Sequence, residues 1–199
     1  MSKSLQDTID SIKPLDEAAM QAARHRQDEL TKPQGALGKL EALSIKLAGI
    51  TGNPRPKIKD KAIIVMAADH GVVDSGVSLY PQEVTHQMIH GFITGTAAIN
   101  ILSNHIGARV VVVDMGVVGG LEPHPGLICE MIDFGTQDIC KGPAMSQRQA
   151  LDSVEAGIRV VEAEIAKGLD IVGTGDMGIG NTTPSAAICA TITGRPVVQ

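Results

Sequence analysis

The chain has 199 residues, 43% hydrophobic and 20% charged, a composition that fits a folded soluble domain and excludes a disordered one. Its formal net charge of −5 argues against nucleic acid as a partner, because neutralising phosphates needs clustered Lys and Arg. No run reaches the ~20 apolar residues that span a bilayer, and the opening MSKSLQDTIDSIK has no apolar run of signal-peptide type, so the chain is read as cytoplasmic and without a membrane partner.

Residues 15–30 are rich in helix formers with apolar positions at helical spacing. Pro33, Gly35 and Gly38 mark a break. Residues 36–49 then read as a second amphipathic helix, with Leu37, Leu40, Leu43 and Leu47 on one face. GNPRPKIKD is linker-like and places a boundary near residue 58, giving an N-terminal helical segment (1–57) and an α/β domain (58–199). The apolar run AIIVMAA (62–68) predicts a buried parallel strand. After the loop DHGVVDSGVSLYP, residues 82–105 are helical in pattern, broken near Gly91 and Gly95. RVVVVDM (109–115) predicts a second buried strand, followed by the Gly-rich GVVGG, and 127–133 is a further strand candidate. A long helix is expected over 146–168, capped by Ser146 and ended by Gly168. LDIVG (169–173) predicts a strand, GTGDMGIGN a loop, and residues near 182–192 a final helix.

Strands separated by helices imply βαβ units, hence a three-layer, Rossmann-like α/β fold around a mostly parallel sheet, preceded by the helical segment. Val197 and Val198 read as the opening of another element, so the domain is read as incomplete. The three cysteines have no metal-ligand spacing and are expected to be reduced, small buried hydrophobes.

In such sheets ligands bind at the carboxyl ends of the strands. Three loops there carry chemistry: Asp69-His70-Gly71, Asp114-Met115-Gly116, and the run Gly175 to Thr183. In the third, glycines permit close backbone approach, Thr182 or Thr183 can cap the following helix, and Pro184 suits its first turn. A helix N-terminus with free amides binds phosphate without Lys or Arg, though a plain strand-to-helix turn would look the same. Asp176 can hold a ribose hydroxyl or stabilise positive charge at an anomeric carbon, or simply form its own turn. Asp69-His70 suggests a general base, a metal ligand or a hydrogen-bonded pair that fixes the loop. His86 and His90, at i, i+4 spacing, lack the Glu of a zinc-binding helix, so no metal is expected. Tyr80 would stand at the mouth, where its ring can stack on a flat substrate, and Met88 can line the same wall.

The segments LTKPQGALGKLE (30–41), ADHGVVDSGVSLYPQEVT (68–85), GTAAINIL (95–102), VVVDMGV (111–117), GPAMS (142–146) and GTGDMGIGNTTPSAA (173–187) together resemble nicotinate-nucleotide–dimethylbenzimidazole phosphoribosyltransferases, in order and spacing, over essentially the whole chain. The resemblance implies a homodimer without metal or redox cofactor. It also implies transfer of ribose 5-phosphate from nicotinate mononucleotide to 5,6-dimethylbenzimidazole, giving α-ribazole 5′-phosphate, a step of cobalamin lower-ligand synthesis. By that resemblance Gly178, Gly180, Asn181 and Thr182 belong to the ribose-phosphate and nicotinate side. Asp69, His70, Tyr80 and Met88 belong to the substrate pocket, with Tyr80 and Met88 on the base. Asp176 stands where the family commonly has Glu, and its shorter side chain withdraws the carboxylate. The family's general-base Glu sits in a Gly-Glu-Gly motif expected beyond residue 199, so these residues alone are expected to be nearly inactive. A phosphoribosyltransferase for phenol, p-cresol or another base, and a non-catalytic nucleotide- or base-binding module, are the alternatives.

Overall fold

The computed structural model describes residues 3–196. The element expected to open at Val197 and Val198 lies outside the described residues. Contacts divide the chain into two units, residues 6–59 and a larger one that runs from residue 60 onward.

In the smaller unit, α2 (Glu17–Glu29) starts at Asp16, whose carboxylate accepts the Ala19 amide at 2.9 Å. It packs on α3 (Lys39–Thr51) through small residues, Ala19 and Ala23 against Ala48, with Ile45 beside them. The approach is close enough that a Cβ on Gly49 would lie 2.7 Å from Met20 Cγ. The leucine stripe expected to be the packed face is not: Leu37, Leu40 and Leu43 are exposed. Backbone proximity, which small residues permit, outweighs side-chain size here. Residues Lys3–Asp10 form a further helix, α1, that the polar opening segment did not announce.

The larger unit is built on a four-stranded parallel sheet, in the order β3-β2-β1-β4. β1 (Lys61–Ala68) and β2 (Ala108–Gly116) are the expected apolar runs. Each buries both faces, so their side chains divide cleanly. Val65, Ala67 and Val112 face α4 (Glu83–Thr94), where they meet Ile89 and Phe92. Ile64 and Val113 face α6 (Gln147–Ala166), where they meet Val160. This alternation makes three layers. The fully buried Ile89 alone contributes about 1.5–3 kcal/mol of apolar burial. α5 (Ala98–His105) packs on β2, and Gly95 separates it from α4, as the sequence suggested. Ser146 caps α6 in a reciprocal box with Gln149. β3 is only Leu127–Cys129, shorter than the candidate run.

The largest departure is β4, which runs Ile171–Met177, well into the segment expected to be a loop. Glycine depresses strand propensity, but here it allows close approach. A Cβ on Gly175 would lie 3.1 Å from Val65 Cγ2 on the neighbouring strand. α7 (Thr182–Thr193) follows and buries none of its residues; Ile192 is 79% exposed. The cysteines also depart from expectation: Cys129, Cys140 and Cys189 are free and exposed. They lie at the end of a short edge strand, in a loop, and on α7, where nothing encloses them. No helix among the described residues is long and apolar enough to cross a membrane.

Candidate functional site

β1 connects onward to β2 on one side, while β4 pairs on its other side. The strand order therefore reverses between β1 and β4, where open parallel sheets leave a crevice beyond the strand ends. The residues leaving β1 are Asp69 and His70; those leaving β4 are Gly178 to Asn181, before α7.

These two turns touch. A Cβ on Gly178 would lie 2.1 Å from Ala68 O and 2.9 Å from His70 Nε2, so only glycine lets β4 exit across the end of β1. A Cβ on Gly180 would lie 3.3 Å from Val77 Cγ2, which places the next residues against the turn after His70. α4 contributes a fixed support: Thr85 is fully buried, and its Oγ1 accepts the Ile179 amide at 3.0 Å. The α7 entrance differs in detail from the expected cap. Asn181 occupies the cap position with no side-chain cap bond, and its Nδ2 donates instead to Asp176 Oδ2 at 2.9 Å. Thr183 N donates to Gly180 O and Pro184 has no N–H, so of the first turn only the Thr182 amide is left without a backbone acceptor. Asp176 lies near the end of β4 rather than in a loop, and is exposed.

Asp69 is 2% exposed. Its backbone is pinned on both sides, donating to Gly116 O at 2.9 Å and accepting from Thr136 N at 3.1 Å. Its Oδ2 accepts the Val118 amide at 2.9 Å. Asp114, at the end of β2, accepts the amides of Gly116 and Val117 at 2.9 and 3.1 Å. Burial pushes its pKa up; the two amide bonds pull it back, and nearby Asp69 adds to the rise. It is a structural carboxylate that shapes the β2 exit. Burial also holds His70 below the ordinary imidazole value of 6.5, against the upward pull of Asp176 and then Asp69. His70 is thus neutral near pH 7, with a buried Nε2 that has no hydrogen-bond partner.

That depression has a testable sign. The unfolded chain takes up the His70 proton near pH 6.5 and the folded chain only at lower pH, so the stability tied to neutral His70 is complete above about 6.5 and declines below it. Urea midpoints should fall between about pH 7.5 and 5.5, and His70→Asn should flatten that slope. An unchanged slope in the variant would contradict the assignment.

A cavity of about 350 Å³ opens beside Asp69, lined by Gln82, Glu83, His86, Gln87 and Val118 as well. Tyr80 and Met88 are not in its wall. Tyr80 stands 65% exposed on the preceding loop, and Met88 turns to the core around Ile89 and Phe92. Among the described residues no group of His, Cys, Asp and Glu could hold a metal ion.

A family model described as phosphoribosyltransferase (DBI-PRT) matches residues 12–199. The chain belongs to this family. A relative from Roseiflexus sp. (strain RS-1) is 60% identical over 195 residues, which are 98% of this chain and 55% of that protein. Another, from Desulforudis audaxviator (strain MP104C), is 54% identical with the same coverage. Both carry the name nicotinate-nucleotide–dimethylbenzimidazole phosphoribosyltransferase. A crystal structure under that name from Thermus thermophilus matches with a TM-score of 0.89 at 45% identity, over 92% of this chain and 55% of that one. The chain spans about half the length of the curated relatives it matches.

In this chain of the phosphoribosyltransferase family, the site residues read from the sequence came from strand-end loops, apart from Tyr80 and Met88 before and on α4. Those it missed, Thr85, Gln82, Glu83, His86 and Gln87, sit on or just before α4. The signal of Gln82, Glu83, His86 and Gln87 was present as the polar face at the start of a helix, a pattern that by itself reads only as solvent-facing, whereas Thr85 lies on the packed side with Val84, Met88 and Ile89.

Proposed function

We propose that this protein is a pentosyltransferase that moves the ribose 5-phosphate of nicotinate mononucleotide onto 5,6-dimethylbenzimidazole, releasing nicotinate and forming α-ribazole 5′-phosphate. The observation that carries the reading is the junction of the β1 and β4 exits: a glycine turn at a helix entrance lies directly against the strand end that borders the 350 Å³ cavity. The names of the relatives supply the two substrates.

The chemistry suits those parts. The base's bare nitrogen attacks the anomeric carbon, the C–N bond to nicotinate breaks, and the base's N–H proton is lost to a carboxylate or water while the phosphate stays on the sugar. Positive charge grows on the ribosyl carbon, so a carboxylate nearby is useful and a cation is not. Asp176, held by Asn181, is the carboxylate on the sugar side in this reading. The amides of Gly178, Gly180 and Thr182 take the phosphate with the positive end of α7. Much of the rate comes from holding the two flat rings on opposite faces of one ribose. Tyr80, exposed on its loop, covers the base only from outside the cavity wall, and Met88 supports that wall from beneath.

We place the protein in the cytoplasm as a homodimer, by analogy with the family resemblance, and place the proton-accepting Glu in the portion of the relatives' length that this chain does not match. Incubation with nicotinate mononucleotide and dimethylbenzimidazole, with chromatography of the product, tests the transfer. A protein of the relatives' full length should form α-ribazole phosphate. The 199-residue chain should be slower by about 100-fold or more, the usual range for a missing acid–base group. No product from the longer protein, or equal rates, would defeat the respective half of the proposal.

A further inference from the structure

The start of α4 serves two parts of the site at once. On its open side Gln82, Glu83, His86 and Gln87 line the 350 Å³ cavity beside Asp69. On its packed side Thr85 is 0% exposed, and its Oγ1 accepts the Ile179 amide at 3.0 Å, across 94 residues of sequence. Ile179 stands between Gly178 and Gly180 in the turn that leaves β4. The turn's other hydrogen bonds are internal: Asn181 N donates to Gly178 O, Thr183 N to Gly180 O, and Asn181 Nδ2 to Asp176 Oδ2. α7, which follows, buries none of its residues and so anchors nothing from downstream. Among the described residues, the bond to Thr85 is the only hydrogen bond that residues 179–183 make to an element other than β4 and α7.

From these facts we infer that Thr85 is a positioning residue for the transfer: its hydroxyl sets the place of the ribosyl-phosphate turn relative to the acceptor wall carried by the same helix. The inference rests on the transferase reading of the site. Attack needs the base nitrogen about 3–3.5 Å from the anomeric carbon and in line with the departing nicotinate. In that reading α4 places the base and the 178–182 turn places the sugar, so the two carriers must be held in register. A hydrogen bond suits the task because it is short and directional. The buried Ile179 amide has no other acceptor, so without the hydroxyl the turn must move to find one. A shift of about 1 Å leaves each substrate most of its own contacts and spoils their alignment, so the loss falls on turnover rather than on binding.

Steady-state kinetics of a protein of the relatives' full length, carrying Thr85→Val or Thr85→Ser, tests this. Valine keeps the volume and removes the acceptor; serine keeps the acceptor and removes a methyl group. In Thr85→Val, kcat should fall at least about tenfold, with KM for nicotinate mononucleotide and for dimethylbenzimidazole each within about threefold of wild type. Thr85→Ser should keep kcat within about threefold. A role confined to packing gives the reverse order, since serine is the variant that leaves a void. Wild-type turnover in Thr85→Val, a loss confined to one KM, or serine as damaging as valine would each overturn the inference. Hydrogen exchange of the 199-residue chain decides even if the valine variant does not fold. The Ile179 amide should exchange at least about 100-fold more slowly than that of Gly180, which has no acceptor among the described residues. Equal exchange at the two would deny the bond and the role with it. α-Ribazole phosphate formed at the wild-type rate by Thr85→Val would leave the transferase reading standing while Thr85 loses this role; no product from the unsubstituted protein would remove the reading and the inference together.

Discussion

Arg109→Met is expected to lower the stability of the chain by about 2–3 kcal/mol, because it leaves one oxygen of a buried carboxylate without its donor while Lys167 keeps the other. The Glu164 side chain is 2% exposed, at the end of the inward face of α6 formed by Ala156 and Val160. Its Oε2 accepts Arg109 Nε at 2.8 Å and its Oε1 accepts Lys167 Nζ at 2.7 Å. Arg109 Nη2 also donates to Gly168 O at 2.8 Å, so one guanidinium ties the start of β2 to the exit of α6. Methionine keeps the apolar stem, so the loss reports the charge and its donors rather than packing. Glu164→Gln should cost less, about 1–2 kcal/mol, since Arg109 and Lys167 are 36% and 61% exposed and can turn to water. Burial by itself would raise the Glu164 pKa, but the bonds from Lys167 and then Arg109 hold it below 4.5. The stabilisation is therefore present above about pH 4.5 and is lost as pH falls through the lower folded value, and in Arg109→Met the acid loss should begin at higher pH. Urea unfolding reads both effects. Equal losses for the two substitutions would contradict the stranded-carboxylate account.

Most of the sheet was legible because β1 and β2 are unbroken apolar runs, and only a strand buried on both faces needs that. β4 was hidden for the opposite reason. Gly173 and Gly175 look like loop residues until their neighbours are known; in place, they are what lets β4 lie against Ile63 and Val65. The α3 stripe misled because a leucine pattern marks an amphipathic helix without saying that alanine and glycine on the next face sit closer to α2. Glu164 was a missed signal: a carboxylate in register with Ala156 and Val160 on one helix face has to meet a cation, and Arg109 opens the adjacent strand.

The candidate site was legible in part. Strand-end loops of a parallel sheet gather at one edge by topology alone, which is why Asp69, His70 and the 178–182 turn can be grouped from the sequence. What topology does not give is which helix supports them. Thr85 reads as one polar residue in a helix, and its role depends on the Ile179 amide, far away in sequence, arriving at its Oγ1. Likewise Tyr80 is near the site in sequence, yet it stands exposed and outside the cavity wall.

Gly178→Ala should have the largest effect on that junction. The added Cβ would meet Ala68 O at 2.1 Å, a backbone atom of the central strand, with the His70 ring at 2.8 Å behind it. Ala68 cannot retreat, since β1 is paired on both sides. The end of β4 must move instead, and with it the Ile179 amide held by Thr85 and the entrance of α7. The expected cost is about 3 kcal/mol, the upper range for a forced backbone shift, together with at least a roughly tenfold loss of nicotinate mononucleotide binding in calorimetry. Gly173→Ala, inside β4 itself, provides the comparison. Its Cβ would meet Ile63 Cδ1 at 2.6 Å, but that atom is the tip of a flexible side chain that can change rotamer, so the cost should stay below about 1 kcal/mol. If the two alanines prove equally damaging, the backbone contact with Ala68 is not what sets the cost. If Gly178→Ala lowers stability but leaves nucleotide binding intact, the phosphate is not held at the glycine turn, and the proposed placement of the substrate fails with it.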